Sequence, residues 1–497
     1  MKNIEHVVVV MMENRSFDNL LGWLYDNQNN RPACNIPPQD PPVFEGLAGK
    51  NCSNTLNGVS VNVTCPPTAW PPSNNPNIVP TPDPNEEFDF VTNQVFGTKT
   101  PGPANAPNMS GFLQDYSTAA GVGAKASQIM QTFGPQEANV INDLARNFAV
   151  CDHWFASVPS QTWPNRAFFH SGSCDGHLNN DDYEFYDIPT IFNVLESHGI
   201  SWSVFHDTTL IPSLTLSQFI GQLGMHDDHF FRYDAFQKAC KVAANAPASQ
   251  KLPAYSFIEP RFTPEAGLFE IDYPADYHPP HNICRGEQFL ADVYENVAAS
   301  PYRDNILLVI TFDEHGGCYD HVPPPNGAVA PLPWSVSRDG RFDFARYGVR
   351  VPTIVISSYI QPGTVFRAAP GEQPYDHTSM LATLRDWLSL GGDPQKPFLA
   401  SPRITNAPTL DRVLTLDDNS KRDWPAITVQ CTVGDDDKSL DTPLNGLQHS
   451  LIAAAIKQNS DQPVDDQTAA NQARSLKTYG DAFSLFHPDL MNNNPGH

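Results

Sequence analysis

The chain has 497 residues, 40% of them hydrophobic, and 30 basic against 55 acidic side chains give a formal net charge of −25. That length suits roughly two to four domains or one large α/β body with insertions. So acidic a chain repels nucleic acid and anionic membranes, which leaves neutral, zwitterionic or small soluble ligands, and no segment reaches the ~18 apolar residues needed to span a bilayer.

Residues 1–6 run straight into the apolar stretch 7–12, so no signal peptide is expected within this sequence, whether the protein has none or has had it removed. A short apolar run of β-branched residues predicts a strand buried on both faces, as in a parallel sheet. It ends at Glu13-Asn14-Arg15-Ser16-Phe17-Asp18. Residues 31–84 hold 13 of the 47 prolines, which predicts a long irregular surface insertion, either a passive loop or a rim of the site. Cys34, Cys52 and Cys65 in that stretch are candidates for a disulfide staple, and none of the nine cysteines has the paired spacing of a zinc site. Within 137–148, Val140, Ile141, Leu144 and Phe148 fall on one helical face. Thr162-Trp163-Pro164-Asn165-Arg166 predicts a helix start, with Pro164 in the first turn and Thr162 at the cap or just before it. Further helices are expected over 190–197 and 286–298, and strands over 201–205, 254–258, 306–312 and 351–357. This alternation predicts an α/β fold, a mostly parallel central sheet with helices on both faces. A catalytic domain over 1–405 is expected to carry a polar appendage over 406–497 with one clear helix, at 447–456.

The stretch 306–312 ends at Asp313-Glu314-His315-Gly316-Gly317, much as the first strand ends at Glu13-Asn14. In open α/β sheets ligands sit beyond the carboxyl ends of the strands. Glu13, Asp313 and Glu314 with the carboxamide of Asn14 form an oxygen-rich set suited to a hard divalent cation. Thr162 lies at the positive end of a helix dipole, where an alkoxide or phosphate is stabilised. Its hydroxyl is a weak nucleophile that a divalent metal would activate, and standing alone it reads first as an ordinary cap. His278 and His281 frame Pro279-Pro280, His315 and His321 bracket the Gly-Gly turn, and His377 stands at a helix start. Histidine can protonate a leaving oxygen or bind phosphate as imidazolium.

Together these segments, with 256–262, 276–282, 347–357 and 375–381, resemble in order the phosphoesterase family of non-specific phospholipases C and AcpA-type acid phosphatases, related to the alkaline phosphatase superfamily. The resemblance covers about residues 5–390. It implies a phosphoric ester hydrolase in which Glu13, Asn14, Asp313 and Glu314 hold one or more divalent cations, calcium, magnesium or another. It also implies Thr162 as a nucleophile that touches the metal, a phosphoenzyme intermediate, and His278, His281 and His377 around the substrate phosphate. The substrate is expected to be a phosphate ester, phospholipid head groups included, and the family points to a periplasmic or secreted setting. Members often carry an Asp-Pro-Gly-His-Glu segment whose histidine approaches the leaving group. The equivalent here, Asp83-Pro84-Asn85-Glu86-Glu87, has no histidine, so Glu86 is expected at the rim of the site, favouring choline-like or uncharged leaving alcohols. The length is nearer the short acid phosphatases and the plant enzymes, so the extra C-terminal domains of the long bacterial phospholipases are not expected, and both mono- and diester hydrolysis remain open. Rival readings are a sulfatase or phosphonate hydrolase on the same fold, which would place a modified Cys or Ser where Thr162 stands, and a non-catalytic binding protein.

Overall fold

A computed structural model of the chain describes all residues except 69–74, 103–104, 181–184, 209–212, 267–270, 392–396, 434–439, 461–463 and 487–497. Nine strands make the main sheet: β1 (His6–Met12), β2 (Cys34–Ile36), β3 (Ala149–Cys151), β4 (Trp202–His206), β5 (Phe230–Arg232), β6 (Tyr255–Glu259), β7 (Ile306–Phe312), β8 (Thr353–Ile356) and β9 (Thr364–Phe366). Their order across the sheet is β2-β9-β3-β8-β7-β1-β6-β4-β5. Only β8 is antiparallel to its neighbours, β7 and β3; every other pairing is parallel. The fold is therefore the mostly parallel α/β sheet the sequence predicts, with helices packed around it.

The two central strands are buried along their whole length and apolar except for His6 and Thr311. They pair in register, His6 opposite Ile306 and Met12 opposite Phe312. The helices that bear on the site are α1 (Phe17–Leu21), α2 (Asn139–Asn147), α3 (Thr162–Ser171), α4 (Ile283–Ala298), α5 (Thr378–Trp387) and α6 (Gly446–Asn459). None of the described helices is long and apolar enough to cross a membrane.

Several local expectations are corrected. Helix α4 starts at Ile283 rather than at residue 286, because the Asn282 side chain accepts from Cys284 N at 2.9 Å and caps it there. Cys34, Cys52 and Cys65 are free thiols; the disulfide joins Cys284 to Cys431. Cys34 is drawn into edge strand β2, where its thiol meets Thr364 Oγ1 at 3.3 Å. The tail carries α7 (Asp466–Ser475) and α8 (Tyr479–Phe486) after α6, three helices where one was expected. The buried face of α7 is Ala469, Ala470 and Ala473, small side chains that give a weak apolar signal in sequence. The insertion over 31–84 is not wholly irregular: it supplies β2 and a hairpin, Ser53–Leu56 with Val59–Asn62.

A buried ion cluster ties three of the sequence motifs together behind the site. Arg350 Nε donates to Asp320 Oδ1 at 3.0 Å and Nη2 to Asp18 Oδ1 at 2.9 Å. His321 joins Asp18 Oδ2 through Nδ1 at 2.6 Å and Glu45 Oε1 through Nε2 at 3.0 Å, with Lys50 also on Glu45. Burial would lower the pKa of His321, but its hydrogen bonds to Asp18 and Glu45 and the Asp18 charge prevail over burial and Arg350 and push it up to about 9. The charged ring therefore stabilises the fold fully below pH 6.5, its ordinary value, and that contribution is lost as pH rises through about 9. The displacement corresponds to roughly 3 kcal/mol at most. Denaturant unfolding at pH 6.5 and pH 9 should show a stability loss in the parent chain that is absent in His321→Gln; equal pH slopes in the two proteins would contradict this role.

Candidate active site

The register of β1 with β7 delivers the two acidic motifs side by side. Asp313 N donates to Met12 O at 3.2 Å, and Asn14 N to Asp313 Oδ1 at 3.0 Å. Asn14 has φ 55°, a left-handed conformation that asparagine tolerates better than most residues, and it turns its carboxamide inward. Its Nδ2 donates to Glu314 Oε1 at 2.6 Å and to Glu86 Oε1 at 2.8 Å. The Gly-Gly pair makes this contact possible. A Cβ on Gly316 would stand 2.0 Å from Asn14 O, and one on Gly317 would stand 2.7 Å from Asn85 O.

Thr162 is the first residue of α3, and Pro164 is its third, where a missing N–H costs no helical bond. The cap is assembled by neighbours: Trp163 N donates to Asn180 Oδ1 at 2.9 Å. Asn165 binds the loop before the helix through Val158 N and the carbonyls of Val158, Ser160 and Gln161. Thr162 Oγ1 thereby lies 3.1 Å from Glu13 Oε2 and 3.4 Å from Asn14 Oδ1. Oxygens so spaced match the edges of an octahedron with bonds of ~2.1–2.4 Å to a hard cation. Asp313 Oδ2 is buried and receives no hydrogen bond, as a ligand oxygen would be left. The donor set thus fits a divalent cation. Arg166 donates to Glu13 Oε1 through Nε at 2.9 Å and also through Nη2, which holds the carboxylate in place.

The three singled-out histidines differ. His377 donates from Nε2 to Asp313 O at 2.6 Å while Nδ1 accepts from Trp154 Nε1 at 3.3 Å. His281 sits against Asp276 Oδ1 at 2.5 Å through Nδ1, and its Nε2 faces Gln448 Nε2 at 3.3 Å. Only His278 keeps a ring nitrogen without a hydrogen bond: Nδ1 meets Pro279 O at 2.6 Å, and Nε2 is buried and unpartnered. His315 bonds Gln94 Oε1 at 2.8 Å and His321 belongs to the ion cluster behind the site.

Glu86 is not at the rim. It is 3% exposed and held by Asn14, because the turn at Gly317 packs directly on Pro84 and Asn85. No rim carboxylate at position 86 is therefore present to favour choline-like leaving groups. Asp83, Asp276 and Gln448 are neighbours that sequence reasoning missed; the Asp-Pro segment at 83–84 was the only signal for the first. A cavity of about 350 Å³ opens onto this region, lined among others by Asp83, Glu86, Gln161 and Asn445. Asn445 and Gly446 bring the tail to the site, and Trp163 Nε1 donates to Ser450 Oγ of α6 at 3.1 Å.

The carboxyls crowd one another. Burial first, then the Asp313 and Asp276 charges, drive Glu13 well up, against the pull of Arg166. Burial raises Asp313 as well, and burial with the Asp313 charge raises Glu314. Glu86 is raised by burial and by Asp83 and Glu314. His278 is pushed well down, by burial and then by His281, so it is neutral.

The family model described as the Phosphoesterase family matches residues 4–391. Non-specific phospholipase C1 of Arabidopsis thaliana is 33% identical over 437 residues, covering 85% of this chain and 73% of the relative. Non-specific phospholipase C6 of the same plant is 35% identical over 404 residues, 78% of this chain and 69% of the relative. A solved structure of a protein in the alkaline phosphatase superfamily from Vibrio parahaemolyticus is similar at 10% identity, with a TM-score of 0.31, over 70% of this chain and 77% of that one. With matched segments spanning both acidic motifs and the whole central sheet, this chain belongs to the phosphoesterase family and is a phosphoric ester hydrolase.

Proposed function

We propose a cation-dependent phosphoesterase of phospholipase C or acid phosphatase type, with Thr162 as nucleophile and a phosphothreonine intermediate. The observation that carries it is the Thr162 hydroxyl, held at the N-terminus of α3 against Glu13 Oε2 and Asn14 Oδ1. Glu13, Asn14, Asp313 and Glu314 would hold the divalent cation, with Thr162 touching it; calcium, magnesium and other hard or borderline ions all suit this oxygen set. When bound, such an ion supplies positive charge that eases deprotonation of the hydroxyl and neutralises a non-bridging phosphate oxygen.

The chain's own residues do the rest. Arg166 fixes Glu13, His377 fixes the backbone of Asp313, and Asp276 with Gln448 orients His281 behind His278. The Thr162 oxygen gives up its proton to solvent and attacks phosphorus, the bond to the alcohol oxygen breaks, and the departing oxygen takes a proton from solvent beside His278. Water then hydrolyses the phosphothreonine and restores the threonine. The names of the relatives favour phospholipid head-group esters as substrates, and the cavity has room for a small phosphate ester.

Thr162→Val keeps the shape and removes the attacking oxygen, so kcat should fall by roughly three orders of magnitude or more with the fold intact by circular dichroism. Near-normal turnover in that variant would mean direct attack by water. Against p-nitrophenyl phosphate and p-nitrophenyl phosphorylcholine, chelator should abolish hydrolysis and an added divalent ion should restore it. Activity that survives exhaustive chelation would refute cation dependence, and the ratio of the two rates separates monoesterase from diesterase.

A further inference from the structure

At the edge of the sheet opposite β2, two histidines and a carboxylate come together outside the candidate active site. A ring nitrogen of His226, one of His229 and a carboxylate oxygen of Glu196 all lie within 4.8 Å of one another. Glu196 stands in the last turn of the helix Ile191–Ser197. The histidines stand three apart in the short turn Gly224–His229. The edge strand β5 begins at the next residue, Phe230.

Trp202, the first residue of β4, orients two of the three ligands. Its indole lies nearly flat on the His229 ring, with centroids 4.1 Å apart and the planes inclined by 13°. Its Nε1 donates to Glu196 Oε2 at 3.1 Å, and its carbonyl meets His229 Nδ1 at 2.8 Å. A carbonyl can only accept, so Nδ1 carries the hydrogen and the neutral ring keeps its lone pair on Nε2. A metal-binding imidazole is held in this way, by a backbone carbonyl on its other nitrogen. His229 Nε2 lies 3.7 Å from Glu196 Oε2, beyond normal hydrogen-bond length. Two ligand atoms on one tetrahedral zinc, with bonds of ~2.0–2.2 Å, stand ~3.4 Å apart. The pair is spaced for an ion that both atoms touch rather than for a bond between them.

Charge and access agree with this. Asp228 Oδ1 lies 4.0 Å from the same Nε2, and its largely exposed side chain has room to turn in as a fourth ligand. Among the described residues Glu196 and Asp228 each pair with His229, and neither carboxylate meets a lysine or arginine. Glu196 is exposed and both histidines are half-buried, so an ion can enter from solvent without unfolding the chain. Two imidazoles with a carboxylate suit zinc and similar borderline ions, unlike the all-oxygen set around Thr162.

We propose that Glu196, His226 and His229 form a surface site for a zinc-type divalent cation, with Asp228 within reach, that clips the helix Ile191–Ser197 to the start of β5. The ion fastens the edge of the sheet, where β5 has three residues and pairs with β4 alone. The site shares no residue with the candidate active site, and its failure would leave the proposed hydrolysis standing.

Zn²⁺ uptake by the full chain, measured by equilibrium dialysis after chelator treatment, is the test. The parent should hold one more Zn²⁺ per chain than His226→Ala, whatever the oxygen-rich set around Thr162 takes up. Glu196→Gln should bind that ion roughly tenfold more weakly or worse. Added Zn²⁺ should slow hydrogen exchange over Trp202–His206 and Phe230–Arg232 in the parent and leave it unchanged in His226→Ala. Equal uptake by the parent and a folded His226→Ala overturns the site. Where a variant fails to fold, the parent alone decides: exchange in β4 and β5 that ignores added Zn²⁺ overturns the clip.

Discussion

The parallel, in-register pairing of β1 with β7 is the constraint on which the rest of the site depends. Because Met12 lies opposite Phe312, the two chains leave the sheet at the same level, and Glu13-Asn14 and Asp313-Glu314 enter the same few ångströms of space. A slip of one residue would turn each strand's side chains to the opposite face and send one acidic pair away from the other. The strands resist that slip because both are buried from end to end and almost wholly apolar, so the register is held by packing on both faces of the sheet and by the turn geometry beyond it.

Collecting carboxyl groups in a buried place is costly, and much of the surrounding structure offsets that cost. Arg166 is itself wholly buried and meets Glu13 with two nitrogens, a planar fork suited to a carboxylate. Backbone N–H groups of Glu314 and Gly316 point at Asp313 Oδ1 and Glu314 Oε2 at 2.7 Å each. These donors leave other carboxylate oxygens unmet, Asp313 Oδ2 and Asp83 Oδ1 among them. That imbalance supports the cation proposed for the site.

The sequence motifs divide their residues between the candidate site and bracing. In the first motif Glu13 and Asn14 face the site, whereas Arg15 donates to Tyr277 O and Val79 O, and Asp18 belongs to the cluster around Arg350. In the helix motif Thr162 faces the site, while Trp163 anchors the tail and Asn165 ties down the preceding loop. In the second acidic motif His315 turns away to Gln94 and Gly316 allows the close approach of Asn14.

By itself the sequence determined the central strands, the helices expected over 137–148, 190–197 and 447–456, and the parallel character of the sheet, because apolar periodicity is a local property of contiguous residues. It also determined the phosphoesterase family and the candidate set Glu13, Asn14, Thr162, Asp313 and Glu314, since each sits at a strand end or helix start visible in its own segment. Only the tertiary structure decided the rest. Asp83, at the end of an irregular Pro-rich stretch, has no periodic neighbour to place it, and Glu86 was set on the rim until the packing of Gly317 on Pro84 and Asn85 drew it inside. The three histidines looked alike in sequence, yet their ring nitrogens are spent differently, on Asp313 O, on Asp276, or on nothing but Pro279 O. The partner of Cys284 lies 147 residues away, and the tail reaches the cavity through Asn445 and Gly446. Such contacts join segments far apart in the chain, and no local pattern of polarity encodes which distant group a side chain will meet.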